Sequence, residues 1–228
     1  MEIIIPQDLT EITLRQFIQF KSLDHENSDD IFIAKKMISI FCNVDINLLN
    51  NFSQKDFQEI TNILIGMLNS ECEFKQRFNY NGIEYGFIPN LENISLGEYI
   101  DIDNSFKDND MNSFLQVVYR PITNKLKDKY QIKPYDVNDL VDMLDVPYSY
   151  YKGAEVFFWN LRKDLLNAMK NYLLTQAVEV RKAQKNMQSS VLSGDGISQL
   201  SNSLEEISQD LERLQELKLI QPLRIYAT

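Results

Sequence analysis

Histidine is almost missing from this chain: His25 is the only one in 228 residues. It sits in the polar run from His25 to Asp30, with no apolar frame to fix its tautomer, so a Ser-His-Asp arrangement is not expected. Cysteine is nearly as scarce. Cys42 and Cys72 are too few for a disulfide scaffold and form no Cys-x-x-Cys pair, so they read as two reduced, semi-buried thiols. The seven glycines are scattered, and none builds a Walker loop or a dinucleotide fingerprint. Positive charge is short as well. Twenty-three Lys and Arg against 33 Asp and Glu leave a net charge of -10, which disfavours nonspecific binding to DNA or to an anionic membrane. No segment approaches the roughly 18 uninterrupted apolar residues of a membrane span. At Met1-Glu2-Ile3-Ile4-Ile5-Pro6 an acid stands where a signal peptide carries positive charge, and proline ends the apolar run. These shortages predict a cytosolic or cytosol-assembled protein without catalytic, cofactor-binding or metal-ligating residues.

What is present is a core and a helical rhythm. A hydrophobic content of 44% suffices for one domain with an appended helical arm. Ile3, Ile4 and Ile5 are β-branched and precede Pro6, which predicts an extended N-terminal arm in need of a partner edge or groove. Thr13 with Gln16 forms a capping box that opens a helix ending near Leu23. Apolar spacing predicts a second helix over 31–41, and Ser53 with Asp56 opens a third. The period then changes. Residues 74–89 flank Asn81-Gly82, the pair best suited to the positive φ angles of a type I′ hairpin turn. Ser95-x-x-Glu98 is a second capping box, for a helix to about Ser105. A helix over 110–119 ends before Pro121, residues 130–134 read as a connector, and 136–144 as a short acidic helix.

From 154 to 187 the apolar positions recur by threes and fours, which predicts one long helix. A Ser/Gly break at 189–196 follows, then Ile197, Leu200, Leu204, Ile207, Leu211 and Leu214 at the spacing of a coiled-coil seam. Residues 160–185 hold six bases and two acids, and 197–216 hold five acids and one base, so the two segments are complementary as an αα-hairpin. The expectation is thus a mainly α protein: a helical domain over 1–147 with one β-hairpin insertion, and a long C-terminal αα-hairpin over 148–228 with a short extended tail.

Few residue constellations carry chemistry. Asp101-x-Asp103-Asn104 begins like an EF-hand loop, but Phe106 stands where the turn glycine belongs and the closing glutamate is missing. Asp139, Asp142 and Asp145 are spaced by three, which reads as a solvated face. Lys170, Arg181, Lys182 and Lys185 give the long helix a basic side without the aromatics of a single-strand reader. Trp159, Phe157 and Phe158, beside Tyr148, Tyr150 and Tyr151, form the densest aromatic cluster, as a core anchor or an interface hot spot. The seam is read either as intramolecular packing or as a self-association surface. The residues predicted for partner or oligomer contacts are therefore Ile3, Ile4, Ile5, Trp159 and the seam.

At Gly86-Phe87-Ile88-Pro89, Leu96-Gly97-Glu98-Tyr99-Ile100-Asp101 and Val118-Tyr119-Arg120-Pro121, the chain resembles small virion-morphogenesis proteins of tailed bacteriophages, in particular crAss-like podoviruses. The resemblance spans about 50 residues. It implies a non-enzymatic virion protein of the tail or head-tail junction, assembled in the host cytoplasm. The connector reading is a homo-oligomeric ring that contacts the portal and other tail proteins and passes DNA as cargo without recognising it. The other readings are a tail-assembly chaperone and, from a different class, a small phage enzyme or host-takeover factor. A compact body with reaching arms suits a ring, and the acidic charge suits a DNA conduit.

Overall fold

A computed structural model describes residues 3–24, 29–187 and Ile207. Its elements run α1 (Leu14–Lys21), α2 (Asp30–Phe41), α3 (Gln54–Asn69), β1 (Arg77–Tyr80), β2 (Ile83–Phe87), α4 (Leu96–Lys107), α5 (Met111–Val118), β3 (Tyr119–Leu126), β4 (Lys129–Ile132) and α6 (Tyr148–Met187). The four strands form one antiparallel sheet in the order β1-β2-β3-β4. The mainly α expectation with a single hairpin is therefore corrected to an α+β fold.

The correction has a local cause. Residues 130–134, expected to be a connector, include most of β4, and the turn joining it to β3 contains no glycine or asparagine to announce it. Lys127 takes φ 56° there instead. The acidic helix expected at 136–144 shrinks to a single 3-10 turn, Val137–Asp139, which Asp136 caps through the Asn138 N–H. Elsewhere local chemistry acts as anticipated. Thr13 and Gln16 complete the capping box of α1, Ser53 caps α3, and Ser95 with Glu98 opens α4. Asn81 and Gly82 turn β1 into β2 at φ 51° and 78°.

The chain divides into two compact units after Val156, so the first two turns of α6 belong to the first unit. In that unit α1, α2 and α3 pack in sequence, and α4 with α5 interrupts the path from β2 to its neighbour β3. Leu14, Phe20, Ile38, Leu64, Phe114, Leu115 and Val118 fill the core. Tyr119 ends α5 and begins β3. It is fully buried, its hydroxyl donates to the Lys75 carbonyl at 2.6 Å, and burial pushes its phenol pKa far up.

The N-terminal segment is tied to the start of α6. Leu14 N–H donates to Val146 O, Tyr148 N–H to Ile12 O and Ser149 N–H to Leu9 O. Phe17 stacks on Tyr148 at 3.7 Å, and Lys152 caps the end of α3 by donating to the Leu68 and Ser70 carbonyls, both at 2.8 Å. At Gly153 a Cβ would lie 2.7 Å from the Glu73 carbonyl oxygen, so only glycine lets α6 approach that backbone.

Candidate interaction surface

Helix α4 is turned with a charge inside and apolar side chains outside. Its capping box fixes the first turn: Glu98 N–H donates to Ser95 Oγ at 3.2 Å, and Ser95 N–H donates to a Glu98 carboxylate oxygen at 2.7 Å. The other Glu98 oxygen accepts the Arg120 guanidinium from β3, and both side chains are buried. Burial alone raises the pKa of Glu98, but the Ser95 hydrogen bonds and Arg120 outweigh it and hold the carboxyl below its ordinary value. Arg120 also lies over the Tyr135 ring at 5.7 Å, and the Tyr135 hydroxyl donates to Asp101.

With Glu98, Ile102 and Ser105 turned inward, the opposite side of the helix presents Leu96, Tyr99 and Ile100. Leu96 is 74% exposed and Tyr99 59%. A helix that buries an acid while exposing a leucine, a tyrosine and an isoleucine inverts the ordinary preference, and contiguous exposed apolar surface of this kind marks interaction sites. The Ser95-x-x-Glu98 cap accounts for where α4 begins and not for which side of it faces out. The missed signal is that apolar residues at 96, 99, 100 and 102 cannot all face one core at 100° per residue.

In the second unit α6 carries a comparable stripe of its own. Leu161, Leu165, Met169 and Tyr172 are exposed at spacings of four, four and three, along about 16 Å of helix. Trp159 is 37% exposed, and Phe157 and Phe158 are half-buried with their rings edge to face at 5.6 Å. The predicted aromatic cluster thus spreads over different environments: Tyr148 and Tyr151 are buried in the core of the first unit, where Tyr151 meets Phe114 at 5.5 Å. On the arm, Ile3 and Ile5 are half-buried while Ile4 is 83% exposed. Of the seam, Ile207 is helical and exposed. Ile197, Leu200, Leu204, Leu211, Leu214 and His25 lie outside the described residues, as do the Arg181 and Lys185 side chains.

Burial is the first cause of the raised pKa values of Glu155 and both cysteines. Glu155 is raised by burial and accepts the Tyr151 hydroxyl at 3.0 Å. Cys42 is pushed up to about 11 by burial, and Cys72, raised for the same reason, donates to the Ser149 carbonyl at 3.1 Å. The three regularly spaced aspartates meet cations rather than each other: Asp139 pairs with Lys133, and Asp145 with Arg15 at 2.8 Å, with Asp142 3.8 Å from the same guanidinium. Among the described residues no group of three or more His, Cys, Asp or Glu side chains is arranged to hold a metal ion, and no helix is long and apolar enough to cross a membrane. A cleft between β3 and residues 136–143 has a volume of ≈ 20 Å³, room for about one water molecule. Compared with protein-family models, curated proteins and solved structures, the chain has no match.

Proposed function

We propose that this chain is a non-enzymatic assembly subunit that works through contacts with other protein chains, of the head-tail connector kind implied by its resemblance to phage morphogenesis proteins. In this reading it forms a homo-oligomeric ring of the virion, against portal and tail proteins, with DNA passing as cargo. The observation that carries the reading is the inversion of α4, which buries Glu98 on Arg120 and presents Leu96, Tyr99 and Ile100 outward. The net charge of -10 supports a surface to which passing phosphate does not stick. Ile3, Ile4, Ile5, Trp159 and the 197–214 seam are proposed as further contact residues.

The exposed stripe of α6 favours one alternative, a tail-assembly chaperone that holds an apolar client segment. Solution mass together with the protein content of purified virions tests the choice. An oligomer in solution and a constant copy number per virion support the connector; a monomer absent from virions assigns the chaperone. A divalent cation that raises Tm by several degrees at micromolar concentration would replace both with a metal-dependent activity.

A further inference from the structure

The hairpin formed by β3 and β4 ends in a basic tip within an acidic chain. Its tip holds Lys125, Lys127 and Lys129 against the single acid Asp128, and Leu126 at its centre is 75% exposed. Lys125 is engaged by Glu84 at 2.8 Å, while Leu126 and Lys129 stand opposite each other in register. The tip turns through Lys127 at φ 56°, a conformation that disfavours any side chain larger than glycine.

The same unit carries the complement of this tip. Residues 136–142 hold Asp136, Asp139 and Asp142 with no base between them; Asp139 pairs at the surface with Lys133 and Asp142 lies 3.8 Å from Arg15, which is shared with Asp145, so the patch stays net negative, and Val137 and Val141 are 63% and 40% exposed among them. That segment starts at the base of its own hairpin, where Lys133 N–H donates to Pro121 O at 2.8 Å. Four residues of strand, roughly 13 Å, separate this base from Lys129, and the ion pairs formed on either side are with other residues: Lys125 with Glu84, Asp139 with Lys133 and Asp142 with Arg15.

We infer that the β3–β4 tip of one copy docks on the 136–142 segment of a second copy, Leu126 against Val137 and Val141 and the lysines against the aspartates. The occupant is a second copy because this chain offers both the charge complement and the apolar complement; phosphate would match the lysines and leave the leucine without a role. Knob and receptor are different surfaces, so the contact is heterologous and propagates into a ring or an open chain. The inference rests on the assembly reading above in taking the protein to self-associate.

Leu126→Asp breaks the tip and Val137→Asp breaks the receptor; both positions are exposed, and circular dichroism and Tm verify that each variant folds. Sedimentation velocity on the full chain should show wild-type assembly that weakens as ionic strength rises to about 0.5 M. Each variant alone should sediment as a monomer, with the dissociation constant raised about thirtyfold or more. An equimolar mixture should restore a heterodimer and nothing larger, because one intact tip meets one intact receptor. Assembly that survives both substitutions would overturn this contact while leaving the connector reading to its virion test. A wild type that stays monomeric at every concentration also overturns it, as does duplex DNA binding that Lys127→Glu with Lys129→Glu abolishes.

Discussion

The two hairpins of the sheet share the antiparallel ladder and differ in everything that surrounds it. β1 and β2 turn through Asn81-Gly82, both residues left-handed, and bury Phe78 and Tyr85 among aromatic rings, with Phe78 4.3 Å from Tyr150 and 5.0 Å from Tyr119. β3 and β4 turn through Lys127-Asp128 and end in solvent with Leu126 exposed. The first is held by the core and needs a cheap turn; the second tolerates an unfavourable turn because Ile122 and Ile132 pair at its base and Tyr130 packs over Gly86. A hairpin whose tip contributes nothing to its own core is free to serve another surface.

The sharpest break of this contrast is Phe78→Ala, which should cost about 3–5 kcal/mol of stability by urea unfolding, whereas Leu126→Ala should stay within about 0.5 kcal/mol. A comparable loss, about 3–5 kcal/mol, is expected for Glu98→Ala, because it strands the buried Arg120 guanidinium of β3, the strand through which the second hairpin pairs with the first. That contribution depends on pH. The folded pKa of Glu98 lies below its unfolded value of about 4.3, so its stabilisation is present above that pH and is lost as pH falls through the folded value. Denaturation midpoints of wild type and Glu98→Ala should therefore converge in acid.

Gly86→Ala tests the joint between the hairpins. The new Cβ would lie 2.5 Å from the Tyr130 ring, which is pinned by its hydroxyl donating to the Phe87 carbonyl at 2.8 Å, and about 1–3 kcal/mol should be lost. The smallest pair has opposite signs. Gly82→Ala at φ 78° should destabilise by about 1–2 kcal/mol, while Lys127→Gly at φ 56° should stabilise by about 0.5 kcal/mol, read as shifts in urea midpoint at constant m.

The pair also explains what was legible. Asn81-Gly82 announces its hairpin because the turn type demands those residues, but Lys127-Asp128 carries no such mark, and Pro121 after the helical run 110–119 signals a helix stop without signalling that a strand begins at Tyr119. The candidate surface was half legible. Ser95 and Glu98 declared the start of α4, yet the same Glu98 is claimed by Arg120, 22 residues away, and that contact sets which side of the helix faces out. Of the N-terminal isoleucines, Ile4 points to solvent, while Ile3 and Ile5 are half-buried.

By itself the sequence determined the beginnings of α1, α3 and α4 and the first hairpin turn, since capping boxes and an Asn-Gly turn satisfy backbone groups within four residues. Only the tertiary structure decided that β3 and β4 are strands, that Glu98 points inward and that Leu96, Tyr99 and Ile100 point outward. A strand needs a neighbour's backbone and a buried charge needs a distant partner, and neither can be located from residues adjacent in the chain.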